Sequence, residues 1–225
     1  MSRVVIIACG SFNPPTNMHL RMFELAKDFL VNKNHQVIEG IISPVNDNYP
    51  TSKFLAPSNH RCEMIRRACS NYWVQLDDWE CCQPKWSRTL EVLRYHKVRL
   101  QKKYDEMIQL KMLCGADLFE TFNVPNLWQD NDIEEIVRDY GLIVITRNGS
   151  DPWNTLKNSP KSGLLSKYED NIVIVKEKFI NNISSSLIRE AILNRESIRY
   201  LVDDKVIEYI NKHELYFKTK TNSSI

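Results

Sequence analysis

The sequence predicts an α/β fold built on a doubly wound parallel sheet, and two observations lead to this prediction. Several short apolar runs are hydrophobic continuously rather than in alternation, which is typical of parallel strands covered by helices on both faces. Segments with a helical spacing of apolar residues separate these runs, and strands that alternate with helices define this fold class. The 225 residues, of which 43% are hydrophobic, are enough for one such domain.

The predicted strands and helices follow one another along the whole chain. Each strand is a short apolar run, whereas each helix carries its apolar residues on one face. In the first helix that face consists of Met22, Phe23, Ala26, Phe29 and Leu30. The predicted strands are 4–9, 37–42, 73–76, 107–114, 142–146 and 172–175. The predicted helices are 20–30, 59–69, 89–103, 132–139, 186–194 and 203–213.

Composition and charge limit the partners and the compartment. Residues 1–217 are expected to form a single domain, and the polar tail 218–225 is expected to be frayed. The net charge of +2 is too small to favour nucleic acid or an acidic membrane as a partner. No apolar run approaches the roughly 18 residues of a membrane span, and no signal peptide is recognisable. The cytoplasm is the expected compartment, because the basic segment "RLQKK" is too modest to indicate a nuclear signal. The nucleus stays open as an alternative.

Cysteine spacing argues against a zinc site. No C-x-x-C pair is present, and the spacing does not provide four ligands. We therefore expect buried, reduced thiols. The cysteines are Cys9, Cys62, Cys69, Cys81, Cys82 and Cys114.

Three acidic residues lie close together after the third predicted strand. They are Asp77, Asp78 and Glu80 in "LDDWE". Clustered carboxylates beyond the end of a strand are typical of a solvated turn, and we interpret them in that way.

The first predicted strand ends at Gly10 and is followed by "SFNPPTNMH". Gly10 allows the backbone to approach a ligand closely, and the start of the next helix offers free N–H groups and a positive dipole end. Thr16 and His19 lie three residues apart at this helix start, so a hydroxyl and a ring N–H can converge on one phosphate. The pattern differs from the G-x-G-x-x-G fingerprint of dinucleotide-binding proteins.

A second candidate phosphate site follows the last predicted strand in "NNISSSLIREAI". Ser184, Ser185 or Ser186 could cap the helix, and Arg189 would lie one turn further on. Hydroxyls, helix N-terminal amides and a guanidinium together would bind phosphate. An ordinary serine cap with a solvated arginine is the alternative. Two such sites at two strand ends would suit a polyphosphate.

The two segments "GSFNPPTNMHLRMFELAKD" and "ISSSLIR" resemble the nicotinamide mononucleotide adenylyltransferase family in its animal form. "GIISPVND", "LAPSNHR", "DDWE", "KMLCGADLFETFNVPNLW", "IVRDYGLIVITR" and "IRYLVDDKVIEYINKHELY" also agree, so the resemblance spans about residues 3 to 217. It implies a Rossmann-like fold of the nucleotidyltransferase superfamily. It also implies transfer of the adenylyl group of ATP to the mononucleotide, which gives NAD and pyrophosphate.

The resemblance also implies roles for individual residues. Catalytic roles fall to Thr16, His19 and Arg189. The ATP-binding and phosphate-binding residues would be Gly10, Ser11, Phe12, Lys53, Gly115, Asp117, Asn181, Ser184 and Ser186. The mononucleotide-binding residues would be Trp86, Thr89, Leu127, Trp128 and Arg147. An indole face would suit the cationic nicotinamide ring.

The sequence departs from the family pattern at three places. "TNMH" stands where the superfamily often has H-x-G-H, and Ser186 stands where the family usually has threonine. The loop "NYPTSKFLAPSNHR" is one residue longer than expected and has only Lys53 where the family has several lysines. Lys53 would then be the phosphate-contacting lysine of this loop.

The implied reaction needs no general base. The 5′-phosphate of the mononucleotide is mostly a dianion at pH 7 and can attack the α-phosphorus directly. The protein's task would be positioning and charge neutralisation. Mg²⁺ would arrive with ATP.

Other partners and functions stay open. Nicotinic acid mononucleotide is a further expected substrate, and the resemblance implies self-association into a homo-oligomer. Phosphopantetheine would be another acceptor, although the Trp86 and Trp128 segments favour a pyridine nucleotide. The alternative function is a nucleotide-binding or chaperone-like protein with reduced catalysis on the same fold. The retained T-x-x-H and S-S-S-x-x-R segments argue against it.

Overall fold

The structure is a computed structural model that describes residues 2–51, 54–179 and 181–217. Six strands form one sheet within these residues, in the order β3-β2-β1-β4-β5-β6. The pairs β1–β4, β4–β5 and β5–β6 are parallel. The strands are β1 (Arg3–Gly10), β2 (Gln36–Pro44), β3 (Val74–Leu76), β4 (Ile108–Gly115), β5 (Leu142–Ile145) and β6 (Ile172–Val175).

Every predicted strand is confirmed, and no strand end differs from its prediction by more than two residues. The agreement has a physical cause, since the central strands are buried on both faces and their apolar runs are unbroken. Val4 to Ile7 and Leu142 to Val144 are fully buried, for example. Strand order reverses between β1 and β4, which is the place where such sheets bind ligands.

The six predicted helices are also confirmed, and three short ones were missed. Residues Ile136–Tyr140, which were predicted as α-helix, continue α5 as a π-helical turn. Helix α6 carries a start signal that was overlooked: Asp151 caps it, and Pro152 is its first residue. The helices of the described residues are α1 (Asn17–Asn32), α2 (Ser58–Ala68), α3 (Thr89–Tyr104), α4 (Ala116–Glu120), α5 (Asp130–Glu135), α6 (Pro152–Asn158), α7 (Ser162–Lys167), α8 (Ser185–Leu193) and α9 (Asp204–Lys212).

The chain forms two compact units, each assembled from separated stretches. The first unit comprises Met1–Cys9, Arg21–Ile41 and Ser87–Asn182, and contains the parallel strands β4, β5 and β6. The second unit comprises Gly10–Leu20, Ile42–Trp86 and Ile183–Ile225. Apolar side chains of α2, α8 and α9 form a core in the second unit; Met64, Ile188 and Val206 belong to it.

None of the helices in the described ranges combines the length and the hydropathy that a membrane span requires.

Candidate active site

The first turn, defined here as residues 10–19, leaves β1 and enters α1. Phe12 adopts a left-handed conformation with φ of 45°, and the Asn13–Pro14 peptide bond is cis. Phe12 and Asn13 are buried. His19, at the end of the turn, is only partly buried, so part of its side chain is open to a ligand.

Thr16 and His19 are brought together, and they contact each other directly. The backbone N–H of Thr16 donates to His19 Nδ1 at 2.9 Å. The Thr16 hydroxyl lies 2.8 Å from the same nitrogen, and Thr16 is only 2% exposed. Because Nδ1 accepts a backbone N–H, the proton of the neutral ring is on Nε2. His19 can therefore donate a hydrogen bond from Nε2.

The start of α8 carries three consecutive serines, and each makes a different contact. Ser184 is the cap, since its hydroxyl accepts the N–H of Leu187 at 3.2 Å. The Ser185 hydroxyl donates to the carbonyl of Pro14 at 2.8 Å. The Ser186 hydroxyl accepts from Arg189 at 3.3 Å. The sequence left the capping residue open among the three, and the structure assigns it to Ser184.

Arg189 is also bound to the first turn. Its Nη1 donates to the carbonyl of Asn13 at 2.8 Å. Together with the bond from Ser185 to Pro14, this contact fixes the start of α8 against the turn. Within the described residues no carboxylate forms an ion pair with Arg189, and burial lowers the pKa of its guanidinium. A partly buried cation without a carboxylate partner is stabilised by a bound anion.

Two predicted site residues form an ion pair in the first unit. Arg147 Nη1 lies 2.9 Å from Asp117 Oδ2. Asp117 is in the first turn of α4, and this helix begins directly after Gly115, the last residue of β4. A Cβ atom at Gly115 would be only 2.5 Å from Asp117 Oδ1, so a side chain there would force the Asp117 carboxylate to move. Asn181, another predicted ATP-binding residue, is partly buried.

The predicted mononucleotide residues Thr89, Leu127 and Trp128 are also in the first unit. Arg88 connects their two segments, because it contacts Gln129 at 2.5 Å and Asp132 at 3.0 Å. The Trp128 indole N–H donates to Thr121 at 2.9 Å, and its ring packs edge-on against Phe122. Leu127 is 56% exposed.

Trp86 belongs to the second unit and precedes α3 in a loop, as predicted. It is 39% exposed. Its ring contacts Tyr49 edge-to-face, with centroids 5.9 Å apart. Trp86 is therefore not a core residue, and part of its surface is available to a ligand.

The chain matches known proteins over nearly its full length. A family profile described as cytidylyltransferase-like covers residues 7–191. A nicotinamide/nicotinic acid mononucleotide adenylyltransferase of Caenorhabditis elegans is 42% identical over 97% of this chain and 100% of that protein. A bovine relative with the same activity in its name is 43% identical over 96% of this chain and 89% of its own length.

The chain belongs to the nicotinamide/nicotinic acid mononucleotide adenylyltransferase family. A relative from rice, also named for this activity, is 43% identical over 94% of this chain and 85% of its own. Family membership does not favour the alternative of a binding protein with reduced catalysis.

The fold agrees with that of a solved family structure. The Plasmodium falciparum nicotinic acid mononucleotide adenylyltransferase, complexed with NaAD, superposes with a TM-score of 0.68 over 95% of this chain and 97% of that chain. Its sequence identity is 20%, so it supports the fold alone. The predicted Rossmann-like nucleotidyltransferase fold is confirmed.

Sequence reasoning about this adenylyltransferase family member missed Arg61, which is fully buried in α2. Its guanidinium donates to the carbonyls of Ala56, Ser11 and Val45 at 2.8, 3.0 and 2.7 Å. It also pairs with Asp47 at 2.8 Å. Arg61 thus holds the first turn through Ser11 and satisfies carbonyl groups of two other loops. The segment "LAPSNHR" was recognised as family-like, but nothing in it showed that Arg61 is buried.

Asn13 was missed as well. Its side-chain oxygen accepts the N–H of Ala56 at 3.1 Å and the hydroxyl of Tyr216 at 2.8 Å. Its Nδ2 donates to the carbonyl of Phe54 at 2.6 Å. An asparagine beside proline usually indicates a turn, which explains why these long-range bonds were not predicted.

Two sequence predictions, on the acidic residues after β3 and on the cysteines, were wrong. Glu80 is not in a solvated turn, because it is only 2% exposed and accepts the Ser43 hydroxyl at 2.5 Å. Cys82 is exposed and Cys9 is only partly buried, whereas buried thiols were expected at all six cysteines. Lys53 and the tail 218–225 lie outside the described residues.

Proposed function

We propose that this chain transfers the adenylyl group of ATP to nicotinamide mononucleotide, and also to nicotinic acid mononucleotide. The products are NAD, or its deamido form, and pyrophosphate, so the reaction belongs to NAD biosynthesis. One observation carries the proposal: Arg189, a partly buried cation without a carboxylate partner, is bound to the turn that ends at His19. This arrangement suits a polyanionic ligand.

The reaction is a direct displacement. An oxygen of the mononucleotide's 5′-phosphate attacks the α-phosphorus of ATP, and the bond to the bridging oxygen of pyrophosphate breaks. The attacking phosphate is mostly a dianion at pH 7, so no proton has to be removed from it. Catalysis then depends on alignment and on stabilising charge that develops on the phosphate oxygens.

His19, Arg189 and Ser186 supply donors for those oxygens. His19 donates from Nε2, because its Nδ1 is occupied by Thr16. Thr16 therefore positions the ring, and its own hydroxyl need not reach the phosphate. Arg189 uses Nη1 to contact the Asn13 carbonyl and retains other N–H groups for the ligand.

The remaining ATP contacts are assigned as the family resemblance implies. Gly10, Ser11 and Phe12 line the first turn, and Gly115 and Asp117 bind the adenosine ribose. Asn181, Ser184 and Lys53 complete the ATP site.

The pyridine nucleotide is recognised by a mixed aromatic and polar group. Trp86 is an exposed aromatic side chain, and an indole face suits a flat cationic ring. Trp128, Leu127 and Thr89 supply further contacts. Arg147, paired with Asp117, supplies a cation for the mononucleotide.

Magnesium would accompany ATP and neutralise charge on its triphosphate. The donors at the first turn and at α8 are hydroxyls, an imidazole and a guanidinium. These groups suit phosphate oxygens, whereas Mg²⁺ prefers carboxylate, phosphate and water oxygens. The triphosphate itself and water would therefore be its ligands.

Three further properties are part of the proposal. Residues 1–217 act as a single nucleotidyltransferase domain, the protein forms a homo-oligomer, and it works in the cytoplasm, or in the nucleus. The partners do not include nucleic acid or a membrane, because a net charge of +2 is too small to favour either.

The test is a direct assay. Purified protein is incubated with ATP, MgCl₂ and either mononucleotide, and dinucleotide and pyrophosphate are measured in parallel. Equal amounts of the two products, abolished by EDTA, are expected. Hydrolysis of ATP to AMP and pyrophosphate without dinucleotide, or no turnover with either mononucleotide, would contradict the proposal.

A further inference from the structure

Two buried thiols contact each other in the second unit. The Sγ atoms of Cys62 and Cys81 are 3.3 Å apart, and the two residues are 7% and 8% exposed. Cys62 lies in α2, and Cys81 lies in the loop that follows β3. A disulfide has its sulfur atoms about 2.05 Å apart, so a small movement of the side chains would allow the bond to form.

The surroundings make Cys62 the more acidic thiol of the pair. The hydrogen bond with the Cys81 thiol lowers the pKa of Cys62, and the positive charge of Arg61 lowers it further, although burial opposes both effects. Cys81 is affected in the opposite direction, since its bond to Cys62 and its burial raise its pKa. The thiolate is the reactive form of cysteine, so oxidation would begin at Cys62.

We propose that Cys62 and Cys81 are a site of reversible disulfide formation when the protein meets a hydroperoxide. The Cys62 sulfur attacks the O–O bond, which yields a sulfenic acid and one water when the oxidant is hydrogen peroxide. The Cys81 sulfur then attacks the Cys62 sulfur, the S–O bond breaks, and a second water leaves. Two thiols lose two hydrogen atoms in total, and an added dithiol reverses the change.

The neighbouring cysteines, Cys69 and Cys82, are less suited to form a disulfide than the pair Cys62 and Cys81. Cys69 lies next to the end of the same helix, and burial raises its pKa to about 12, so its thiol stays protonated at neutral pH. Cys82 is exposed, but a bond between adjacent cysteines requires a strained ring. Only Cys62 and Cys81 combine close approach with one activated sulfur among the described cysteines.

The disulfide would connect two segments that both hold the stretch 43–47. Arg61, adjacent to Cys62, binds the Val45 carbonyl and Asp47. Glu80, adjacent to Cys81, accepts the Ser43 hydroxyl. The proposal concerns a covalent modification, and it does not depend on the enzymatic activity proposed above.

Peptide mapping tests the proposal directly. The full chain is treated with hydrogen peroxide, free thiols are blocked, and the protein is digested with trypsin without reductant. Trypsin releases Cys62 in the peptide 62–66, whereas Cys69, Cys81 and Cys82 share the peptide 68–85. We expect these two peptides to be linked, with the loss of two hydrogen atoms, and to separate after treatment with dithiothreitol.

Matched variants identify the second sulfur. The link should persist in Cys69→Ser and in Cys82→Ser, and it should be lost in Cys81→Ser and in Cys62→Ser. If a variant fails to fold, fragmentation of the linked wild-type peptides in the mass spectrometer shows which cysteine of the peptide 68–85 is joined to Cys62. A link that survives in Cys81→Ser, a bond within the peptide 68–85, or sulfinic acids without any link would overturn the proposal.

Discussion

Glu80 is held in an environment that disfavours its charged form. Burial raises the pKa of this carboxyl group to about 7, although the Ser43 hydroxyl and the charge of Arg61 act in the opposite direction. In the unfolded chain the same group has its ordinary pKa of 4.5. The folded state therefore binds one more proton than the unfolded state between these two pH values.

The free energy of unfolding should consequently fall as pH rises from about 4.5 to about 7. Above this range, ionisation of Glu80 should cause no further decrease. Each pKa unit corresponds to about 1.4 kcal/mol, so the loss is on the order of 3 kcal/mol. Glu80→Gln should remove the loss and be more stable than wild type at pH 8. Urea titrations at several pH values measure this, with exposed Glu208→Gln as the control. An unchanged slope in Glu80→Gln would show that Glu80 ionises normally.

His19→Ala is expected to lower kcat by about 10²–10³, because it removes a donor to oxygens whose charge grows in the transition state. Thr16→Val should have a smaller effect, since the backbone N–H of Thr16 still holds Nδ1. Steady-state kinetics with thermal unfolding on the same samples measure both quantities. Wild-type kcat in folded His19→Ala would make His19 a structural residue of the helix start.

Trp86→Ala should raise KM for nicotinamide mononucleotide and leave KM for ATP nearly unchanged. Aromatic stacking on a base is worth roughly 1–3 kcal/mol, which corresponds to about one to two powers of ten in affinity. Trp86→Phe should recover most of the loss. The control is Trp153→Ala, because Trp153 is also exposed, at 48%. If both KM values rise together with a large loss of stability, Trp86 is a packing residue.

At the scale of elements, the start of α8 depends on the geometry of one guanidinium. Arg189 contacts a carbonyl with Nη1 and the Ser186 hydroxyl with Nη2. Such a fork cannot be reproduced by an ammonium group, which acts as a point charge.

Arg189→Lys should therefore recover only part of the activity that Arg189→Ala loses. Kinetics with ATP as the varied substrate measure the recovery. Arg195→Lys is the matched control, since Arg195 is exposed and lies just beyond the end of α8. Equal kinetics for wild type and Arg189→Lys would mean that charge alone suffices at this position.

The elements themselves were predictable because their signals are local. An unbroken apolar run identifies a buried strand such as β5, and consecutive serines identify the start of α8. Short helices such as α4 were not predictable in this way, because five residues contain too few turns to show a repeat.

The candidate site was predictable only in part, for a related reason. His19 and Arg189 follow strands and belong to recognisable motifs. Arg61 and Asn13, by contrast, form hydrogen bonds with residues that are distant in the sequence, up to 203 residues away. No local pattern shows that Arg61 binds main-chain carbonyls or that Glu80 is buried, because burial results from packing of the whole chain.

At the scale of the whole molecule, the bond between Tyr216 and Asn13 is the most distant of these contacts. Tyr216→Phe removes one buried hydrogen bond and should lower the free energy of unfolding by about 1 kcal/mol. If the bond also positions the first turn, kcat should fall several-fold while KM for the mononucleotide is unchanged. Tyr200→Phe, at a residue 81% exposed, is the control. Loss of stability with wild-type kcat would limit Tyr216 to a structural role.

The same bond has a consequence for synthesis on the ribosome. The first turn emerges early, but Arg189 and Tyr216, which hold Asn13, are translated 176 and 203 residues later. Strands β1 and β4 can pair before then, whereas the turn lacks two of its partners. We therefore expect a nascent chain stalled before residue 189 to have much of its sheet but no ATP affinity. ATP binding should begin only after residue 216 has left the exit tunnel.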